Sequence, residues 1–527
     1  MTSSIENKNN SSFPQPGTDV LPVGRQAGVG LHLTSLPGAY GIGELGAEAR
    51  RFIDFIASAG IRVWQFLPTG PTSYGDSPYQ PLSSFSGNEM LIAIDALLEL
   101  ELLQAEEITP LLSLPSDTVD FGRLIPLKRR LLARAASRFT AKAPDYLKRE
   151  YQEFLAANDA SWLNDYALFR ALKTEHDERP WPSWNKKFAN RKPAALEAFV
   201  DTHGEQLEAI KIIQFLFHAQ WQELKHYAES RGVFLFGDMP IYVALDSADT
   251  WANRKMLQLD NKGQPEYVAG VPPDYFSSDG QLWGNPLYDW QYHADHGYQW
   301  WIDRLRHAAG MADMIRIDHF RGFESYWSVP ADEKTARNGR WVQGPGDELF
   351  AAVRNALGHL PIIAEDLGVI TPEVEGLRDR NHLPGMVVLQ FVLCDEDFNA
   401  RDIREYCVCY TGTHDNDTTR GWFEGNDDDT RSDEEKVTTR QRVLNITKGS
   451  AETVSRDVLR LAMNSRARLV VAPLQDYLGL DSSSRFNTPG KADNNWRWRV
   501  AAAAFDKRLE KRLLAMTRES GRGATPG

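Results

Sequence analysis

Met314-Ile315-Arg316-Ile317-Asp318-His319-Phe320-Arg321-Gly322 is an apolar run that ends in an arginine, an aspartate and a histidine just before a glycine. Together with Ala312, the residues Met314, Ile315 and Ile317 predict a short buried β-strand. A charged cluster at the end of such a strand must face a polar pocket or be paired, because burial without a partner is costly. Arg316 and Asp318 are two residues apart, so they share one strand face and the arginine is placed to keep the aspartate ionised.

The same design recurs along the chain. Strands are expected at Val29 to Leu33, Ile61 to Leu67, Val233 to Met239, Met314 to Asp318, Pro361 to Glu365, Met386 to Phe391, Cys407 to Gly412 and Leu469 to Leu474. They alternate with amphipathic helices, the signature of parallel β/α units, and eight strands close an α/β (β/α)8 TIM barrel. The expected organisation is a disordered N-terminal tail over 1–24, a catalytic barrel over 25–510 and a C-terminal tail over 511–527. The gap from Leu67 to Val233 far exceeds one crossover, so a mainly helical lobe is expected over 82–205. Leu207, Ile210, Phe217, Trp221 and Leu224 form one apolar stripe on the helix leading back to the third strand. A second excursion, 242–298, is dense in Gly, Pro, Asp and aromatics without periodicity and reads as a long functional loop. The acidic stretch Glu424 to Glu435 reads as a solvated loop.

Composition narrows the function classes. At 527 residues, 42% hydrophobic and 25% charged, the chain has the make-up of a soluble globular enzyme. No run approaches a membrane span, and Met1 to Gly17 lacks the apolar core of a signal peptide, so a cytoplasmic protein is expected. With a net charge of −13 and no basic stripe, nucleic acid is not an expected partner; a neutral or cationic substrate is. The three cysteines exclude a disulfide framework, and Cys407 and Cys409 are expected to pack in the core. No cluster with metal-ligand spacing stands out. Several of the 15 tryptophans lie in polar loops, where exposed aromatic faces suit sugar rings.

Barrel active sites form at the C-terminal strand ends, and that rule sorts the acids. Asp238 ends the third strand, Asp318 the fourth, Glu365 the fifth, and Asp415 follows the seventh. Converging carboxylates without a Ser/His pair or a phosphate loop suggest acetal chemistry, which needs one group to attack and one to donate a proton. Asp318 beside Arg316 suits the nucleophile, and Glu365, in an apolar strand near other acids, suits the acid/base.

These segments resemble the α-amylase superfamily. Closer still, Tyr74-Gly75-Asp76-Ser77-Pro78-Tyr79-Gln80, Gly237 to Val243, Gly270 to Phe276 and Trp283-Gly284-Asn285-Pro286 resemble the 4-α-glucanotransferases (amylomaltases) of glycoside hydrolase family 77. The resemblance runs from about Gly28 to Arg499 and is weak in the helical lobe. It implies transfer of α-1,4-glucan segments, from a glucan donor to glucose or a malto-oligosaccharide, by a retaining double displacement and without a cofactor. It further implies that Asp318 is the nucleophile, Glu365 the acid/base and Asp415 the third acid. Arg316, His319, His414 and Asp238 would line the −1 subsite, with Tyr79 stacking there and Ser77 nearby. Asp274, Tyr275 and Phe276 resemble a flap over the acceptor side, Asn285 a further substrate-side residue, and Tyr74 a position open to a secondary glucan site. A retaining mechanism places the two carboxyls roughly 5 Å apart.

Three other readings compete. Gly41-Ile42-Gly43-Glu44-Leu45-Gly46 matches the dinucleotide fingerprint G-x-G-x-x-G. The next strand, however, ends in Pro68-Thr69-Gly70 instead of the acid a ribose requires, and seven residues separate Leu33 from Gly41. A non-catalytic carbohydrate-binding barrel has no need of a nucleophile and proton-donor pair. A hydrolase of the same superfamily would differ only in its acceptor.

Overall fold

The structure, a computed structural model, describes residues 20–273, 279–426, 429–491 and 493–523, with Tyr74 described by its backbone alone. The strands among them are β1 (Gln26–Gly30), β2 (Val63–Gln65), β3 (Phe234–Pro240), β4 (Tyr267–Val271), β5 (Gln281–Pro286), β6 (Met314–Asp318), β7 (Ser325–Pro330), β8 (Arg340–Gln343), β9 (Ile362–Ala364), β10 (Gly385–Val388), β11 (Cys407–Tyr410) and β12 (Leu469–Pro473). Eight of them pair in parallel in the order β10-β11-β12-β1-β2-β3-β6-β9. At the seam the amide of Ala364 donates to the Pro384 carbonyl at 2.9 Å, bringing β9 against β10. The Asp366 carboxylate staples the same seam by accepting from the Met386 amide at 2.6 Å and pairing with Arg378. The (β/α)8 barrel read from sequence is the architecture found.

Alternation along each strand sorts its residues. Val63, Phe236, Met314, Ile363, Val408 and Val471 fill the barrel interior, while Val29, Trp64, Leu235, Val470 and Ala472 face outward into the helical layer. Cys407 and Cys409 are buried in that outer layer. The sixth barrel strand stops at Val388, and the rest of the expected strand, Leu389 to Phe391, lies in the helical turn Leu389–Val392. Leu389 is fully buried there too, and a continuous apolar run does not separate a buried helix from a buried strand.

Between β2 and β3 lie the helices Phe121–Lys142, Asp145–Asn158, Asn164–Glu175 and Pro193–Ser230, the last kinked at His203. Leu207, Phe217, Trp221 and Leu224 bury their side chains as the stripe requires. Lys128 of the first of these helices is fully buried and pairs with Glu44, which locks the helices to the barrel.

Three expectations need correction. The excursion from Tyr242 to Tyr298 is not loop throughout: β4 and β5 pair antiparallel and continue through β7 to β8 in a four-stranded sheet of order β5-β4-β7-β8. A register shift between Val268 and Gly270 breaks the two-residue period that would have shown it. The stretch expected as a C-terminal tail is packed through residue 523. The helix Lys507–Glu519 lies on the helix Ala47–Ser58, and Arg522 is fully buried with its guanidinium on the carbonyls of Met463, Ser465, Ala467 and Gln26. At the other end Leu21, inside the expected tail, is buried. No helix among the described residues is long and apolar enough to cross a membrane.

Candidate active site

Arg316 and Asp318 emerge on the same side of β6, the alternation of a strand carrying both toward the barrel mouth. The arginine is 3% exposed and forks between two acids: Nη2 donates to Asp318 at 2.6 Å, and Nε donates to Asp238 of β3 at 3.0 Å. Burying a guanidinium requires such pairing, and the fork fixes both carboxylates with little freedom. Tyr79 donates its hydroxyl to the other oxygen of Asp238 at 2.7 Å, and its ring stacks on His414 with centroids 5.0 Å apart and planes inclined by 16°. Trp496 leans on both rings. His414 Nε2 lies 3.3 Å from Asp415, whose Oδ1 also accepts from Asn487 at 2.6 Å. Arg485 donates to the backbone carbonyl of Asp415 at 2.9 Å.

Glu365 is held differently. It follows β9 and accepts from two backbone amides, His319 at 2.7 Å and Leu367 at 3.1 Å. His319 can turn its amide to the glutamate because it sits in the left-handed region, φ 55°. Its ring meets the edge of Trp283 at 4.8 Å, and its Nε2 is buried without a hydrogen-bond partner.

Burial dominates the electrostatics. It lifts Glu365 to about 7, opposed by Arg316 and the His319 amide and reinforced by Asp366. Burial also pushes Asp318 well above the usual aspartate range; Arg316 opposes, while Asp238, Glu365 and Asp415 add to the push. The arginine therefore limits the upward shift rather than erasing it. His319 is pushed down to about 4 by burial and Arg321, and burial lowers His414, so both imidazoles are neutral at pH 7. An adjoining cleft with about 680 Å³ of open space is lined by His32, Arg316, His414, Asn416 and Arg485. Among the described residues no cluster of His, Cys, Asp and Glu has the make-up of a metal site.

Asp318, Arg316, Asp238, Tyr79, His414 and Asp415 are thus one bonded cluster, and Glu365 with His319 adjoins it. Ser77 instead shapes its turn, its hydroxyl accepting from the Tyr79 amide at 3.2 Å. Asn285 is buried and ties β5 to neighbouring loops through Gln80 at 3.1 Å and the Val243 carbonyl at 2.9 Å. Asp274, Tyr275 and Phe276 lie outside the described residues, as does the Tyr74 side chain. Sequence reasoning passed over Asn487, Arg485 and Trp496; their signal is the polar, aromatic run Arg485-Phe486-Asn487 to Trp496 that follows the last strand.

A closed parallel barrel whose mouth gathers these acids has the equipment of an enzyme acting on glycosidic bonds. Comparison with known proteins narrows the class. Residues 31–504 match the glycoside hydrolase family 77 model, described as 4-alpha-glucanotransferase. A 4-alpha-glucanotransferase of Synechocystis sp. is 45% identical over 94% of this chain and 98% of its own length, and that of Thermus thermophilus is 45% identical over 94% and 99%. The amylomaltase of Streptococcus agalactiae, solved in complex with acarbose, superposes with a TM-score of 0.89 at 36% identity, covering 95% of this chain and all of that one. The chain belongs to the 4-alpha-glucanotransferase family. The dinucleotide reading fails on geometry as well: Gly43 is a glycine because a Cβ there would fall 1.9 Å from the Leu33 carbonyl oxygen, and Glu44 is spent on Lys128.

Proposed function

We propose that the protein moves a segment of an α-1,4-glucan to the 4-hydroxyl of glucose or a malto-oligosaccharide, through a covalent β-glycosyl-enzyme on Asp318. Asp318 attacks C1 while Glu365 gives its proton to the leaving glycosidic oxygen; Glu365 then takes the proton of the acceptor hydroxyl as that oxygen displaces Asp318. The observation that carries this division of labour is the Arg316 fork. Burial raises both carboxyls, but a guanidinium bonded to Asp318 at 2.6 Å favours its ionised form, whereas Glu365, bonded to backbone amides and raised to about 7, is suited to carry a proton near neutrality. Asp238, fixed by the same arginine, and Asp415, fixed by Asn487, hold sugar hydroxyls in this reading. Tyr79, stiffened by His414 and Trp496, offers a ring face to the pyranose. The substrates are neutral, which suits a site whose central cation, Arg316, is already shared between two acids.

Incubation with maltotriose alone tests the reading. Transfer gives free glucose together with a ladder of longer glucans and almost constant total reducing ends. Rising reducing ends without a ladder would make water the acceptor and the protein a hydrolase. No change at all would leave only binding.

A further inference from the structure

Beyond Glu365 the barrel rim carries an aromatic surface that the chemistry above leaves unused. Trp341 on β8 is 38% exposed, and its ring rests on Trp327 at 5.1 Å with planes inclined by 66°. The Arg321 guanidinium lies 3.8 Å from its centroid. Arg321 comes three residues after Asp318 and donates Nη1 to the carbonyl of Val369, four residues after Glu365, so one side chain ties the two acid-bearing loops to the tryptophan. It is 6% exposed, yet its Nε is buried with no hydrogen-bond partner. A guanidinium so placed stiffens the ring.

The acid/base gives this surface a direction. Glu365 must face the oxygen that leaves and the oxygen that accepts, so the acceptor chain lies on the side of the β9 loop that carries it. Val369 of that same loop is bonded to Arg321, and Trp341 stands on Arg321. We propose that Trp341, backed by Arg321, is a distal acceptor subsite that stacks on a glucosyl ring beyond the one whose hydroxyl reacts, and so favours longer acceptors over glucose. The C–H face of a glucose ring fits an exposed indole, and its hydroxyls can accept from a guanidinium. The inference rests on the transferase reading above.

The test uses the full chain with α-maltosyl fluoride as donor, so that the leaving group occupies no acceptor subsite, and compares glucose with maltotetraose as acceptor. Trp341→Ala should leave kcat/KM for glucose within about twofold and lower that for maltotetraose about tenfold, the scale of one good ring contact. Trp341→Phe should restore most of the loss. Equal losses with both acceptors would mean that Trp341 only braces the loops, and no loss with maltotetraose would mean that no ring sits there; either result overturns the subsite. If the unmodified protein releases fluoride but transfers to neither acceptor, the transferase reading itself fails and the subsite falls with it.

Discussion

The two carboxyls at the centre of the site are held by different kinds of donor, and that contrast sets their pH behaviour. In the proposed mechanism attack on free substrate needs Glu365 protonated, so kcat/KM should fall as pH rises through about 7, and Glu365→Gln, where residual rate can be followed, should lose that limb. The sign for stability follows from the same shift. A glutamate raised to about 7 in the folded protein contributes stability below its unfolded pKa and loses it as pH rises through 7. Glu365→Gln should therefore raise the Tm at pH 8 and much less at pH 5, as measured by calorimetry. Arg316→Lys keeps the charge but cannot fork between Asp238 and Asp318; it should cost about 10²-fold in kcat by letting Asp318, the proposed nucleophile, shift.

At the scale of elements, the barrel is joined to its helical lobe by a buried ion pair and closed by a side chain at its seam. Removing Lys128 leaves Glu44 charged and uncompensated, so Lys128→Met should destabilise by about 3–5 kcal/mol in denaturant titration, whereas a double change that also removes the Glu44 charge should recover much of it. All eight barrel strands were legible in the sequence because each is buried on both faces and reads as a short apolar run between polar ends. The antiparallel sheet was not: its strands are interrupted by Gly270 and Gly284, and what defines them is pairing with β7 and β8, some 60 residues or less away but invisible to a local pattern. The C-terminal helix was lost for another reason, since its lone apolar stripe of Leu509 and Leu513 sits among charged residues and acquires meaning only against the helix Ala47–Ser58. In the site, Asp318, Glu365 and Asp415 were readable because strand ends announce themselves. Asn487 and Trp496 were not, because their loop reaches the acids from the far end of the chain.

For the molecule as a whole, the barrel supplies rigid strand ends, and the helical lobe and the antiparallel sheet build walls around them. Those walls bury the acid pair and raise both carboxyls, and the unlike donors, Arg316 on Asp318 and backbone amides on Glu365, are what would let two similar groups do the unlike work proposed. The most direct measurement traps that division. Glu365→Gln protein is mixed with α-maltosyl fluoride, which needs no proton to leave, and is then digested and sequenced by mass spectrometry. The expected result is a maltosyl group esterified to Asp318, because attack proceeds while the base needed to activate the acceptor is gone. Complete turnover without an adduct, or an adduct on any other residue, would contradict Asp318 as the nucleophile.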